Sequence, residues 1–265
     1  SPLWLKNRLI AVDQRPISSI VDITNYIMID IGRPLHAYDI DKSKGTILKI
    51  SKSKKGDEFS ALNGNTYELD DNMLIISDEE SVDDLAGIMA GERTGVTEKT
   101  TRMFWEAAMF DPVSIANTGR KLNLNSDARY RFERGLDYNS PETVMHYAAA
   151  MVNKICGGKF SKIVNFKLEQ KIRIIKFDPN IIYQLTGVKI EHKLSKSILE
   201  KLGFKIVCVE NIWDITPPSW RPDIDGVADI VEEIIRINGY DKIPSIKLSR
   251  SNYIAKPAMS IKHRQ

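Results

Sequence analysis

A carboxylate, an imidazole and a set of hydroxyl and amide side chains carry most of the chemistry on offer in this sequence. Residues 15–39 read RPISSIVDITNYIMIDIGRPLHAYD. An apolar run from Ile20 to Ile31 is broken by Asp22, Thr24 and Asn25, and a Gly32-Arg33-Pro34 turn follows, just before His36. A core strand has no use for polar groups at this spacing, because buried polar atoms cost free energy unless they find partners. The segment is therefore expected to line a pocket, with a stiff turn placing His36 at its rim. Glu106 stands alone among apolar residues in FWEAAMF, residues 104–110. A carboxylate buried there must pair, keep its proton or meet a polar ligand. A strand position facing solvent is the open alternative. No nucleophile is placed beside His36, so a hydrolytic reaction here would use bound water as the attacker.

Two charged clusters are candidates of a different kind. NSDARYRFERGLD, residues 125–137, interleaves Arg129, Arg131 and Arg134 with Tyr130 and Phe132. That pattern suits phosphate contact and base stacking. It equally suits a surface on which the arginines pair with Asp127, Glu133 or Asp137. Asp229, Glu232 and Glu233 stand at i, i+3 and i+4, on one helix face, with Asp223 just before them. A hard divalent cation would relieve their repulsion. A solvated face with Glu232 leaning on Arg236 is the plainer alternative.

The elements that must position these groups are legible in part. An amphipathic helix is expected over 3–11. Strands are expected over 45–78, with an Asn63-Gly64 hairpin signal. Residues 84–97 are rich in Gly and Ala, which permits close backbone approach. Ser140 and Pro141 suit the start of a helix over 140–155, with Val144, Tyr147, Ala148, Met151, Val152 and Ile155 as its stripe. Beyond residue 171 three helices are expected. The first has Ile181, Ile182 and Leu185 inward, the second covers 194–202, and the third covers 225–237. A small β element lies over 204–216. From Pro244 the chain reads as a basic connection.

Composition sets the outer limits. A chain of 265 residues with 42% hydrophobic and 28% charged residues is an ordinary globular sequence, long enough for two domains. A net charge of +3 does not announce nucleic-acid binding. No run of 18 apolar residues predicts a membrane span. Cys156 and Cys208 lie far apart without CxxC spacing, which reads as a reduced, cytosolic protein. Four histidines without HxxxH make a zinc site unexpected. No leader sequence is evident, and the opening Ser1-Pro2-Leu3-Trp4 reads as a piece of a longer chain.

Six blocks in order then carry a family resemblance: RPISSIVDITNYIMIDIGRPLHAYD, LAGIMAGERTGVTEKT, FWEAAMFDPVSI, NSDARYRFERGLD, ITPPSWRPDI and DIVEEIIRINGYDKIP. Together, over roughly residues 1–245, the chain resembles the beta subunit of bacterial phenylalanyl-tRNA synthetase. The resemblance implies an α+β fragment: a mixed-sheet editing module over 1–168, a small helical module with a short β element over 171–243, and a linker over 244–265. It implies hydrolysis of mischarged tyrosyl-tRNA, with Glu106 accepting the tyrosine hydroxyl. His36, Arg15, Thr24 and Asn25 would position water and the tRNA 3′ end. Ala86, Gly87 and Gly91 would supply close backbone, and Ser126 and Ala128 would complete the wall. Asp223, Asp229, Glu232 and Glu233 fall where the family is taken to bind magnesium, near the alpha subunit. The parent enzyme uses ATP and Mg2+ to join phenylalanine to its tRNA. Its partners are the alpha subunit, in a heterotetramer, and the tRNA, in the cytoplasm and away from any membrane. Ala90 stands where the family usually has Gly, and Ser126 and Arg129 replace the usual Thr and Ser. A non-catalytic RNA-binding module and a subunit scaffold are the alternative classes.

Overall fold

Helix stripes and strand alternation resolve into two separately packed units in the computed structural model, which describes residues 1–45, 47–166 and 172–247. The first unit is Ser1–Ile172 with Pro217–Asp225, and the second is Arg173–Thr216 with the chain from Gly226. The connection expected over 244–265 lies, from residue 248 on, outside the described residues. The fold is α+β, and every strand pair among the described residues is antiparallel.

In the first unit, α1 (Leu3–Ile10), α2 (Ser19–Ile31) and α5 (Pro141–Cys156) bury one shared stripe. Leu5, Leu9, Ile23, Ile27, Val144 and Ala148 are its centre. The run Ile20–Ile31, expected to line a pocket, is thus a helix packed into this core. Its polar interruptions have local explanations. Asp22 accepts the Ile17 N–H at 2.7 Å, and the Thr24 hydroxyl donates to the Val21 carbonyl at 2.8 Å. Gly32 ends α2 at φ +78°, a left-handed cap that a side chain would strain.

The strands are β1 (His36–Asp39), β2 (Lys49–Lys52), β3 (Glu58–Ser60), β4 (Thr66–Glu68), β5 (Leu74–Ser77), β6 (Val82–Leu85), β7 (Met89–Ala90) and β8 (Met103–Glu106). β2-β5-β6-β7 form a four-stranded sheet, β1 pairs with β8, and β3-β4 is the hairpin expected around Asn63-Gly64. Two further helices, α3 (Pro112–Lys121) and α4 (Asp127–Phe132), add Ile115 and Phe132 to the core beside Phe59, Leu69, Ile75 and Leu85.

In the second unit, β9 (Ile175–Phe177), β10 (Lys205–Val209) and β11 (Ile212–Thr216) form a sheet in the order β10-β11-β9. Helices α6 (Ile181–Thr186), α7 (His192–Lys201) and α8 (Val227–Asn238) complete the unit. The α8 stripe is as expected, with Ile230, Val231, Ile234 and Ile235 buried. Leu185 is not inward: it is 58% exposed, because a six-residue helix turns only Ile182 fully into the core.

Candidate functional site

The pairing of β1 with β8 sets His36 directly opposite Glu106. Opposed side chains in an antiparallel pair share a face, and so do alternate residues along one strand. Tyr38 therefore joins them. Its hydroxyl lies 3.0 Å from Glu106 Oε2 and 3.3 Å from Asp84 Oδ2, on β6. The His36 ring meets Tyr38 edge-on at 4.2 Å, and its Nε2 is 3.7 Å from Asp84 Oδ2. His36, Asp84 and Glu106 border a cavity of about 80 Å3, with Tyr38 behind them. Pro34, Ile88, Met89, Phe110 and Phe132 give it apolar walls.

Buried bonds hold the frame. The Arg33 side chain is 1% exposed. It donates to Ser140 Oγ at 2.8 Å, to the Ala108 carbonyl at 2.6 Å and to the Asp137 carbonyl at 2.5 Å. This stiffens the turn that carries His36 and ties it to the segment after Glu106. Burial pulls the guanidinium down to about 10, against the support of Asp137. Because the Ser140 hydroxyl is committed here and to the Asp137 carbonyl, it does not cap α5 as the sequence suggested. Ser126 caps α4 through the Arg129 N–H, and its hydroxyl donates to the Ile88 carbonyl at 2.6 Å. That bond fastens the apolar wall to α4. Gly91 is irreplaceable for a different reason. A Cβ there would sit 2.5 Å from the Asp83 carbonyl oxygen.

Burial dominates the electrostatics. It pushes Glu106 up to about 7, with the Tyr38 hydroxyl pulling the other way. Asp84 is raised well above the usual carboxylate range, first by burial and then by Glu106. The same desolvation lowers His36 to about 4 and raises Tyr38, so the imidazole is neutral at pH 7 and the phenol keeps its proton. The contact between His36 and Asp84 is accordingly not an ion pair at neutral pH. What the arrangement offers is one ionisable acceptor, Glu106, in an apolar recess with hydrogen-bonding neighbours.

The residues singled out in the sequence are distributed unevenly around this recess. His36, Glu106, Gly87 and Ala128 border it, and so does Ala90. Thr24 and Asn25 lie on α2 and Arg15 is exposed ahead of it, all three outside the wall. Ala86 packs in the core beside Tyr38 and Ile76, while Gly91 and Ser126 act one layer behind the wall. Arg129 does not crowd the recess. Its guanidinium turns to Glu133, Asn125 and the Leu124 carbonyl, over Gly119. Arg131 pairs with Asp127 and Arg134 with Glu133, so the arginines take the surface-paired alternative. Tyr38 and Asp84 escaped the sequence reading. The period of two from His36 points to Tyr38, but no local signal marks Asp84.

The acidic quartet is divided between the units, Asp223 in the first and Asp229, Glu232 and Glu233 in the second. Asp229 Oδ2 accepts the Gly226 N–H at 2.8 Å as a helix cap. Glu233 is buried and accepts from Arg236 at 2.6 Å, Glu232 is exposed, and Asp223 accepts from Arg221 at 2.7 Å. Among the described residues no three His, Cys, Asp or Glu side chains come together as a metal site. Within α8, Asp229 and Glu233 each already serve a protein donor, which does not favour a magnesium site on that helix.

Comparison with known proteins is direct. Residues 1–157 match the model of the B3/4 domain. The chain belongs to the B3/4 domain family. Beyond the B3/4 unit, residues 175–240 match the tRNA synthetase B5 domain. The phenylalanine–tRNA ligase beta subunit of Bartonella henselae is 46% identical over 98% of this chain and 32% of its own length. That of Paramagnetospirillum magneticum is 45% identical over 94% of this chain and 31% of its own. That of Novosphingobium aromaticivorans is 42% identical over 97% and 32%. The chain thus spans about a third of the length of these curated relatives. A solved N-terminal fragment of the phenylalanyl-tRNA synthetase beta subunit from Pyrococcus horikoshii is 18% identical over 83% of this chain and 65% of that one, at a TM-score of 0.41. Among the described residues no helix is long and apolar enough to cross a membrane.

Proposed function

We propose that the B3/4 unit hydrolyses tyrosine from mischarged phenylalanine tRNA, and that Glu106 selects tyrosine by its phenol. The observation behind this is that Glu106 borders an apolar recess opposite His36 while already bonded to a phenol, that of Tyr38. Its second oxygen, Oε1, is left to accept a ligand hydroxyl. Phenylalanine brings no donor and leaves that acceptor unpaired, which costs about 1–3 kcal/mol. A pocket built for phenylalanine rejects an added hydroxyl poorly, so a second, hydrolytic site is the physical remedy. Water is the attacker. A neutral His36 offers it an acceptor nitrogen and, being a weak base, orients it more than it deprotonates it. Arg15, Thr24 and Asn25, outside the wall, are assigned to the tRNA 3′ end.

The complete protein is the beta subunit of a cytoplasmic phenylalanine–tRNA ligase, working with an alpha subunit that carries ATP-dependent aminoacylation. Magnesium belongs to that larger assembly, and no step here is assigned to it. The test is deacylation of tyrosyl-tRNA and phenylalanyl-tRNA by the wild type and by Glu106→Ala. The wild type is expected to prefer the tyrosyl ester and the variant to lose that preference. Equal wild-type rates for the two esters overturn the reading and leave a binding or scaffold module.

A further inference from the structure

Asp84 is a second buried acid in the recess, 5% exposed, and the function proposed above gives it no task. Its sequence neighbour Asp83 points to the other face of β6, where Arg93 pairs with it. Asp84 instead faces His36 and Tyr38 from β1, with Glu106 beyond on β8. A single hydroxyl, that of Tyr38, stands between the two acids, 3.3 Å from Asp84 and 3.0 Å from Glu106. A phenol has one hydrogen to donate and can accept others. Two ionised carboxylates cannot both be satisfied by it, so one of the two contacts runs in reverse, from a carboxyl O–H to the phenol oxygen. The shorter contact belongs to Glu106, which places the Tyr38 hydrogen there.

We propose that Asp84, in its acid form, donates to Tyr38 and so commits the Tyr38 hydrogen to Glu106, making Asp84 and Tyr38 positioning residues that leave Glu106 as the one acceptor for the substrate phenol. The order Asp84 O–H to Tyr38 O–H to Glu106 carboxylate keeps a single negative charge in the recess. Each hydrogen bond in such a chain polarises the next. The inference rests on the tyrosine-selecting reading of the pocket for its functional meaning, though not for the bond order itself.

The test uses the complete polypeptide and two readouts. Carbon-13 NMR follows the titration midpoint of the Glu106 carboxyl, and deacylation follows the pH profile of the tyrosyl preference. Asp84→Asn keeps a neutral donor toward Tyr38, so both midpoints are expected to stay in place. Tyr38→Phe removes the bond that favours ionised Glu106, so both are expected to move alkaline by about one pH unit. An acid shift in Asp84→Asn means that Asp84 was the ionised acceptor and overturns the bond order. An unmoved midpoint in Tyr38→Phe overturns it as well. If the NMR shifts appear while the wild type shows no tyrosyl preference, the bond order stands and the proposed function fails.

Discussion

In the recess, Glu106 and Asp84 meet across the Tyr38 hydroxyl, far from the sequence neighbourhood of either. On α8, Asp229 and Glu233 each meet a partner within one turn of their own helix, at Gly226 and Arg236. The α8 acids are the denser cluster in sequence, yet they are the quieter one. Asp229 serves as a local cap and Glu233 as half of an i,i+3 pair. The recess acids are brought together by strand pairing and burial, and burial without a cation shifts titration. Density of acids along a chain is therefore a poor guide to chemistry. What matters is whether the fold separates an acid from the local partners that would neutralise it.

The largest expected effect tests what holds the recess together. Arg33→Met takes a charged donor from the Ser140 hydroxyl and the Ala108 carbonyl, and one of several donors from the Asp137 carbonyl, and should cost about 3–5 kcal/mol in urea unfolding. A loss below about 1 kcal/mol shows that the turn carrying His36 is held by other contacts.

Glu106 comes next, with effects of opposite sign on function and stability. Glu106→Gln should reduce the tyrosyl preference about 10–100-fold, the worth of a hydrogen bond to a charged group. It should also raise stability at pH 7 by about 1–3 kcal/mol. The sign follows from the carboxyl being raised to about 7 in the fold. Its contribution to stability is full below its unfolded value of about 4.5 and is lost as pH rises through 7. Glutamine carries no such loss. An unchanged or lowered stability of the variant at pH 7 removes burial as the cause.

The pH profile sharpens the contrast further. The tyrosyl preference should fade as pH drops through about 7, while Glu106 takes up its proton. His36 acts the other way on stability. Lowered to about 4, it contributes fully above its unfolded value near 6.5 and loses that contribution as pH falls to 4. Replacing His36 by Gln should flatten the stability decline between 6.5 and 4. A decline equally steep in the variant assigns it to other groups.

The smallest effects belong to α8. Asp229→Ala should cost about 1 kcal/mol through the lost cap. Glu232→Gln, on an exposed side chain, should stay within about 0.5 kcal/mol. Chelation of magnesium should leave the unfolding midpoint of the B5 unit where it was. A midpoint that falls on chelation restores the quartet as a cation site and breaks the comparison.

Much of the frame was legible because its signals are local. The stripe Val144–Ala148–Met151–Val152 and the α8 stripe follow the helical period, and Asn63-Gly64 marks its hairpin. The run Ile20–Ile31 is not legible as a helix because Asp22, Thr24 and Asn25 look like pocket polarity, whereas the first two serve the helix's own N-terminal region. Ser140 looked like a cap until a distant arginine claimed its hydroxyl.

The sequence by itself determined α1, α5, the helices of the second unit and the β3-β4 hairpin, that an isolated acid stands among apolar residues and that an imidazole follows a rigid turn. Periodicity and turn chemistry act over a few residues, so they can be read without knowing the rest of the chain. Only the tertiary structure decided that His36 faces Glu106, that Tyr38 bridges Glu106 to Asp84, and that Asp83 and Asp84 part to opposite faces. Those outcomes depend on contacts with residues 46 and 68 positions away, on strands β6 and β8. Register between distant strands is set by the packing of whole faces, and no single stretch of sequence contains it.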